Sequence, residues 1–388
     1  MVQLGHPWII ADAYTKRWQA GRPGEIVELV DSDGRFLATA LLDPVERIVA
    51  RVLAREKIRL DRAWLGQRLK GALAIRQQHC QLGETDAYRL VNAEGDGLPG
   101  LTVDRYGDYL LLQLYTSAWH PHLNLIGEAL KEICNPAGIY WKSRPQQTRG
   151  LEGDGDTKRF GKLLSGSAAP GPLQVRENGL NFLVSLERGL NTGLFLDQRR
   201  NRRDLMSRVA GKRLLNLFSY TGAFSVVAAA AGAKRVTSVD ASPTYTEQAR
   251  ANFGANRLNP KQHDFIVGDC LEVLADLERD GRRFDMVIID PPSFSTTSKS
   301  RFTTRGGTAE LVAAALPLLE NGGLLITASN HQKVELADYL KELRRGGLQA
   351  GSELLVIDIA GQPEDFPYPV TFPEGRYLKY VVAVKRTI

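Results

Sequence analysis

Cysteine is scarce. The 388 residues hold three, Cys80, Cys134 and Cys270, odd in number and far apart. That excludes a disulfide framework, offers no zinc-ligand spacing and points to a reducing cytoplasm. Long apolar runs are missing as well. The longest nearly uncharged stretch, Ala223 to Ala233, falls far short of the roughly 18 residues that cross a bilayer. Met1 to Ala20 holds no continuous apolar segment, so neither a membrane span nor a secretory signal is expected. Charge imbalance is small: 50 Lys and Arg against 44 Asp and Glu leave +6, a mild bias toward a polyanionic partner. What remains, 43% hydrophobic and 24% charged residues, is the composition of a folded chain and excludes wholesale disorder. Its length predicts two or three domains.

The first segment has β-rich grammar. Gly24–Val30 and Arg35–Leu41 read as strands around Asp31-Ser32-Asp33-Gly34, whose Asp-Gly step tolerates positive φ, and Ile48–Val52 supplies a third. Arg62–Ala74 has apolar residues at helical spacing. Strand character returns at Tyr88–Leu90, Gly100–Asp104 and Tyr109–Tyr115, around the turn Gly95-Asp96-Gly97-Leu98-Pro99. Thr148–Pro172, rich in glycine and polar residues, predicts a hinge or extended hairpin. Domains are expected at 1–75, 76–180 and 181–388.

From Lys212 the pattern changes to strands alternating with helices. Seven short apolar strands are readable: Arg213–Phe218, Arg235–Val239, Asp264–Val267, Phe284–Ile289, Gly323–Ala328, Glu353–Asp358 and Tyr377–Lys385. Helices such as Ala223–Ala231, Tyr245–Ala255 and Glu335–Arg345 lie between most of them, which calls for parallel strands and right-handed crossovers: a doubly wound α/β sheet. Gly361–Pro373 holds four prolines and no helix, so the last two strands are expected to pair antiparallel.

Ligands of such a sheet sit beyond the carboxyl ends of its strands. The first such end, Asn216-Leu217-Phe218-Ser219-Tyr220-Thr221-Gly222, has one glycine and two bulky aromatics where a pyrophosphate cradle needs Gly-x-Gly-x-x-Gly. A dinucleotide is therefore disfavoured, and S-adenosylmethionine, a nucleoside with an amino-acid tail and no phosphate, suits the turn better. Asp240 closes the second strand, placed to accept protons from ribose hydroxyls; Asp269, with Cys270 beside it, follows the third and could address the adenine; Asp290 ends the fourth. Each acid alone reads as a solvated residue or helix cap. The ordered set of a loop and three acids favours a site.

Asp290-Pro291-Pro292-Ser293-Phe294 is stiffened by its prolines and offers Phe294 as a stacking face, which favours methyl transfer to a planar acceptor such as a nucleobase. Lys299, Arg301 and Arg305 lie just beyond, where the backbone of a flipped nucleotide would pass, and are expected to contact RNA phosphates. A second basic stretch, Lys142, Arg144, Arg149, Lys158, Arg159 and Lys162, reads equally well as a solvated surface.

Four stretches carry a resemblance: Asn191-Thr192-Gly193-Leu194-Phe195-Leu196-Asp197-Gln198-Arg199, Leu215 to Gly222, Val239-Asp240 with Tyr245, and Asp290 to Phe294. Together they resemble the bacterial 23S rRNA large-subunit methyltransferases that carry an N-terminal PUA domain. His6-Pro7-Trp8 with Gly24–Val52 looks like the PUA module, and Gly95–Gly107 looks like the family's central domain. The resemblance covers nearly the whole chain. It implies a class I, Rossmann-like methyltransferase domain after a PUA-like and a central α+β domain, S-adenosylmethionine as cofactor and RNA as partner; it leaves a homodimer open. It also implies that Phe195, Gln198 and Arg199 lie against the cofactor, with Arg199 organising that end of the pocket.

The family divides by chemistry. Cytosine-C5 enzymes add a thiolate to C6 and place a cysteine just after strand five. Here that stretch reads Thr327-Ala328-Ser329-Asn330-His331. Ser293-Phe294-Ser295 with Ser329-Asn330 instead resembles a guanine-N7 branch, in which a free lone pair attacks the methyl group and positioning supplies most of the acceleration. The expectation is thus guanine N7, with Phe294 stacking on the base, Asp290 and Asn330 at its edge, and His331 as an alternative contact. Cytosine C5, and a noncatalytic RNA-binding or assembly factor, are the alternatives.

Overall fold

The structure, a computed structural model, describes residues 2–18, 21–144, 158–292, 294–296, 301–303 and 307–388. The chain divides into two compact units. The first comprises Met1–Glu177, Val184–Thr192 and Glu364–Gly375; the second comprises Asn178–Leu183, Gly193–Pro363 and Arg376–Ile388.

Unit 1 opens with β1 (Trp8–Ile10), β2 (Ile26–Val30), β3 (Phe36–Leu42) and β4 (Ile48–Ala54), an antiparallel sheet in the order β1-β4-β3-β2. The β2–β3 turn forms as its sequence predicts: Asp31 Oδ1 accepts from the amides of Asp33 (2.9 Å) and Arg35 (2.8 Å), and Gly34 takes φ +77°. Asp61 caps α1 (Arg62–His79) by accepting from Trp64 N at 2.9 Å. The helix runs unbroken past residue 75, so the boundary expected there falls inside it. Its Leu65, Leu69 and Ala72 share a core with Tyr88, Leu90, Val103 and Leu112 of the following sheet.

That sheet holds β5 (Ala87–Asn92), β6 (Leu101–Tyr106), β7 (Tyr109–Leu114), β8 (Gly138–Ser143) and β9 (Lys162–Gly166) in sequential order. Neighbours are antiparallel except β7 and β8, which α2 (Leu123–Cys134) joins in parallel. A buried Arg76–Asp96 pair, bonded at 2.6 and 2.8 Å, ties α1 to the turn before β6, and Arg76 also donates to the Asp365 carbonyl at 2.8 Å. Removing either partner would strand a buried charge, at a cost of about 3–5 kcal/mol.

Two members of the second basic stretch have partners within unit 1, one of them buried and one half-buried. Lys142 is wholly buried and donates to the Gly189 carbonyl at 3.0 Å, and burial, with Arg144 nearby, lowers its ammonium to about 7. Arg144 donates to Gln113 Oε1 (2.6 Å) and Asn191 Oδ1 (3.0 Å). Arg149 and much of the expected hinge lie outside the described residues.

β10 (Leu173–Glu177) ends the first segment of unit 1, and β11 (Leu180–Val184) begins in the short unit 2 segment that follows. Further along unit 2, α3 (Arg199–Arg208) precedes β12 (Arg213–Leu217), α4 (Ala223–Ala230), β13 (Arg235–Asp240), α5 (Pro243–Ala255), β14 (Asp264–Val267), α6 (Cys270–Arg279) and β15 (Phe284–Ile289). A hairpin of β16 (Phe294–Thr296) and β17 (Arg301–Thr303) comes next, followed by α7 (Gly307–Ala315), β18 (Leu319–Ser329), α8 (Leu336–Gln349), β19 (Ser352–Ala360) and β20 (Lys379–Thr387). The seven-stranded sheet runs β14-β13-β12-β15-β18-β20-β19. The first five strands are parallel; β20 is antiparallel to both β18 and β19. The expected antiparallel pairing of the last two strands is therefore present, with the final strand inserted inside the one before it. Helices α3, α4 and α5 pack in one row and α6, α7 and α8 in another, the arrangement of a doubly wound sheet. Because the chain leaves β12 toward β13 on one side and β15 lies on the other, the strand order reverses at β12, which opens a crevice at the carboxyl ends of β12 and β15.

Candidate functional site

The turn after β12 is strained and held from several directions. Phe218 (φ +56°) and Tyr220 (φ +50°) both occupy the left-handed region, a conformation that costs a non-glycine residue of order 1–3 kcal/mol. Ser219 N donates to Val239 O (2.9 Å), Tyr220 N to Asp240 Oδ2 (2.8 Å), Thr221 Oγ1 to Gly193 O (2.5 Å) and Asn252 Nδ2 to Thr221 O (2.8 Å). Gly222 takes φ +75°, and a Cβ there would lie 2.7 Å from the Ala249 Cβ. Such over-determined strain is characteristic of a binding loop.

Asp240, at the end of β13, accepts from Tyr220 N and, through Oδ1, from Ser242 N at 2.9 Å. Its carboxylate is thereby fixed between the turn and the start of α5. Beside it three aromatic rings form a wall: Phe195 lies 5.2 Å from Tyr220, and Tyr220 lies 4.4 Å from Tyr245. Phe195 is exposed, which leaves its ring available to a ligand.

Several of the other predicted residues have structural partners. Asn216 is buried and donates to Ser225 Oγ at 2.9 Å, in a hydroxyl network completed by Ser238, so its side chain supports the turn from behind. Phe218 leans on the sheet core, and Ser219 and Thr221 are buried, which leaves backbone as what they offer the crevice. Asp269 caps α6 through Leu271 N at 3.0 Å, the ordinary reading of such a residue. Cys270 is buried; burial pushes its thiol up to about 12 despite a hydrogen bond with the Phe218 backbone. A thiol so protonated is a poor nucleophile. Arg199 is buried at the start of α3, and its carbonyl accepts from Asn178 at 3.1 Å.

Asp290 follows β15, between the ends of β12 and β18. Its Oδ2 accepts from Gln198 Nε2 at 3.0 Å, and Gln198 Oε1 accepts from Asn201 Nδ2 at 2.6 Å. Burial and then the nearby Asp197 carboxylate raise Asp290 to about 7, against the Gln198 hydrogen bond and the Arg202 charge. Asp197 in turn accepts from the Tyr377 hydroxyl at 2.8 Å. Asn330 is exposed just past β18, at the same end of the sheet as Asp290, and the adjoining His331 carbonyl accepts from Lys379 at 2.6 Å. Phe294 and Arg301 take part in the β16–β17 hairpin as backbone, their side chains lying outside what is described; Ser293, Lys299 and Arg305 lie outside the described residues. The link of Asn201 to Gln198 to Asp290 is absent from the sequence reading. Only the three-residue spacing of Gln198 and Asn201 hints at half of it.

The S-adenosylmethionine-dependent methyltransferase family model matches residues 98–371, well over half of the chain. The chain belongs to this family. A PUA-like domain model matches residues 1–55. Among curated relatives, "Ribosomal RNA large subunit methyltransferase I" of Aeromonas salmonicida (strain A449) is 33% identical over 386 residues, covering 98% of this chain and 96% of the relative. The protein of the same name from Escherichia coli O139:H28 is 33% identical over 375 residues, covering 96% and 94%. Among solved structures, SMU.776, described as a methyltransferase and crystallised with SAH, superposes with a TM-score of 0.88 at 30% identity over 99% of this chain and 96% of that one. A Methanocaldococcus jannaschii tRNA m1G37 methyltransferase, at a TM-score of 0.51 and 14% identity, shares the fold alone.

As a member of this family the protein uses S-adenosylmethionine, and its crevice fits that molecule. Aromatic rings and a fixed carboxylate suit a nucleoside, and bulky Phe218 and Tyr220 occupy the place where a phosphate would need bare backbone. When bound, the cofactor supplies an electrophilic methyl group on a sulfonium.

Proposed function

We propose that the protein transfers the methyl group of S-adenosylmethionine to a base of large-subunit ribosomal RNA, and that the acceptor is C5 of a cytosine. The observation that carries the substrate class is likeness along the whole chain, PUA-like module included, to enzymes named for methylating that RNA. Cytoplasmic residence goes with such a substrate. In this reading Asp240 receives the ribose hydroxyls, the Phe195–Tyr220–Tyr245 wall holds the nucleoside, and the Ser219–Gly222 backbone meets the amino-acid tail.

The expectation of guanine N7 is withdrawn. It finds no support among the full-length relatives, and the guanine-modifying neighbour shares only the fold. Asp290 can serve that base: raised to about 7, its carboxyl is part-protonated at neutrality, and the protonated form offers an O–H to the acceptor N3 of cytosine and an oxygen to its N4 amine, while the carboxylate form would suit the N1–H and N2–H groups of guanine. One departure from the cytosine branch stands: Asn330 occupies the place of the attacking thiol, and Cys270, buried and protonated, does not replace it.

The test is mass mapping of large-subunit rRNA nucleosides from cells with and without the protein. One methylcytidine should disappear with it. Loss of a methylguanosine, or an unchanged map, would overturn the proposal.

A further inference from the structure

We propose that Gln198, held by Asn201, is a positioning residue for the acceptor base: it fixes which oxygen of Asp290 faces that base. The inference rests on the reading of Asp290 as the group that addresses the base. The likeness of the segment around Gln198 to a cofactor-facing stretch suggested instead that this side chain contacts S-adenosylmethionine, and its geometry points away from that role. Gln198 is 3% exposed and Asn201 is fully buried. Asn201 stands three residues on, within the first turn of α3, a spacing that brings the two side chains together.

An amide side chain has one oxygen and one NH2 group, and its orientation follows from its partners. The Gln198 oxygen is committed to Asn201 at 2.6 Å, so its NH2 must face Asp290, which it meets at 3.0 Å. Asp290 Oδ2 is therefore an acceptor in either protonation state, and any proton on the carboxyl sits on Oδ1. A carboxyl free to rotate would present donor and acceptor at random; this one presents them in a single order, as a base edge with one acceptor and one amine requires. Asn201 Oδ1 has no hydrogen-bond partner among the described residues, so the link ends there.

The charged and titratable groups around Asp290 are Asp197 beside Gln198, Arg202 one turn along α3, and the phenols of Tyr339 on α8 and Tyr380 on β20. Gln198 opposes the effect of Asp197 by stabilising the ionised carboxyl, so loss of its N–H moves Asp290 to a higher pKa.

The experiment uses the full-length protein with Gln198→Leu and, independently, Asn201→Leu, each checked by thermal unfolding. Three quantities are read: affinity for S-adenosylmethionine by calorimetry, kcat and KM for rRNA, and the pH dependence of kcat. Gln198→Leu should leave cofactor affinity within about twofold and lower kcat at pH 7 by about 10- to 100-fold, the range set by misplacing a reacting group. The pH limb belonging to Asp290 should move upward. Asn201→Leu should shift the same limb in the same direction by less, and it carries the test if Gln198→Leu does not fold. A tenfold or greater loss of cofactor affinity with an unmoved limb would make Gln198 a cofactor ligand and overturn the inference. Unaltered kcat and pH profile in both variants would also overturn it. If these variants are silent while Asp290→Ala abolishes turnover, this inference alone fails; if Asp290→Ala is also silent, the reading beneath it fails.

Discussion

Asp290→Ala should lower kcat by about 10²- to 10⁴-fold while S-adenosylmethionine binds within a few-fold of the wild-type affinity. The magnitude is that of removing a positioned proton-bearing group from the transition state. The asymmetry follows from position: Asp290 ends β15, whereas the aromatic wall and Asp240 belong to the β12–β13 side of the crevice. The wild-type pH profile should carry the same signature. Burial and Asp197 hold Asp290 at about 7, and the protonated form is the one matched to cytosine, so turnover should fall as pH rises through about 7. Asp290→Asn keeps an acceptor for Gln198 and a donor for N3 without titrating. It should retain more activity than the alanine variant and lose that limb. A profile that rises through neutrality would mean that the carboxylate is the working form, which suits guanine.

Asn330→Cys should supply, at the end of β18, the thiol that the cytosine branch uses. A thiolate at the end of β18 would form an S–C6 bond, C5 would then take the methyl from the sulfonium, and loss of the C5 proton would re-form the C5–C6 double bond, break the S–C6 bond and return the thiolate with the methylated base released. With 5-fluorocytidine in the RNA there is no proton to lose, so the variant should accumulate a covalent protein–RNA adduct where the wild type gives none. On ordinary RNA its turnover should rise by tenfold or more. Cys270→Ser should leave the wild-type rate nearly unchanged, since that thiol is buried and pushed up to about 12. An adduct in the wild type that disappears in Cys270→Ser would contradict this account of the thiols. An Asn330→Cys variant with neither adduct nor gain would place the base elsewhere than between β15 and β18.

Much of this was legible in the sequence because strand ends are. Apolar runs punctuated by glycine and acidic residues marked all seven strands of the large unit 2 sheet, though not the β16–β17 hairpin, and sheet topology puts whatever follows a parallel strand at one rim; that rule placed Asp240 and Asp290 at strand ends without coordinates. Side-chain direction was not legible. Asn216 lies one residue from the end of β12, and only packing decides whether such a residue faces the crevice or, as here, Ser225. Charge misled in unit 1: Lys142 and Arg144 read as solvated, although the backbone carbonyl of Gly189 satisfies a buried Lys142 and the side-chain oxygens of Gln113 and Asn191 hold a half-buried Arg144. The helix α3, Arg-Arg-Asn-Arg-Arg at its start, lacked the apolar periodicity that signals a helix, so the Gln198–Asn201 pair on it gave no warning. The sequence separation of 92 from Gln198 to Asp290 hid the rest.

The central claim is that the carboxyl end of the unit 2 sheet delivers the sulfonium methyl to a cytosine of large-subunit rRNA. Its most direct test incubates purified protein with methyl-labelled S-adenosylmethionine and rRNA from cells lacking the protein, then digests the RNA to nucleosides. The label should appear in 5-methylcytidine from the large-subunit RNA. Label in a guanosine derivative, in small-subunit RNA alone, or in no RNA at all would contradict it.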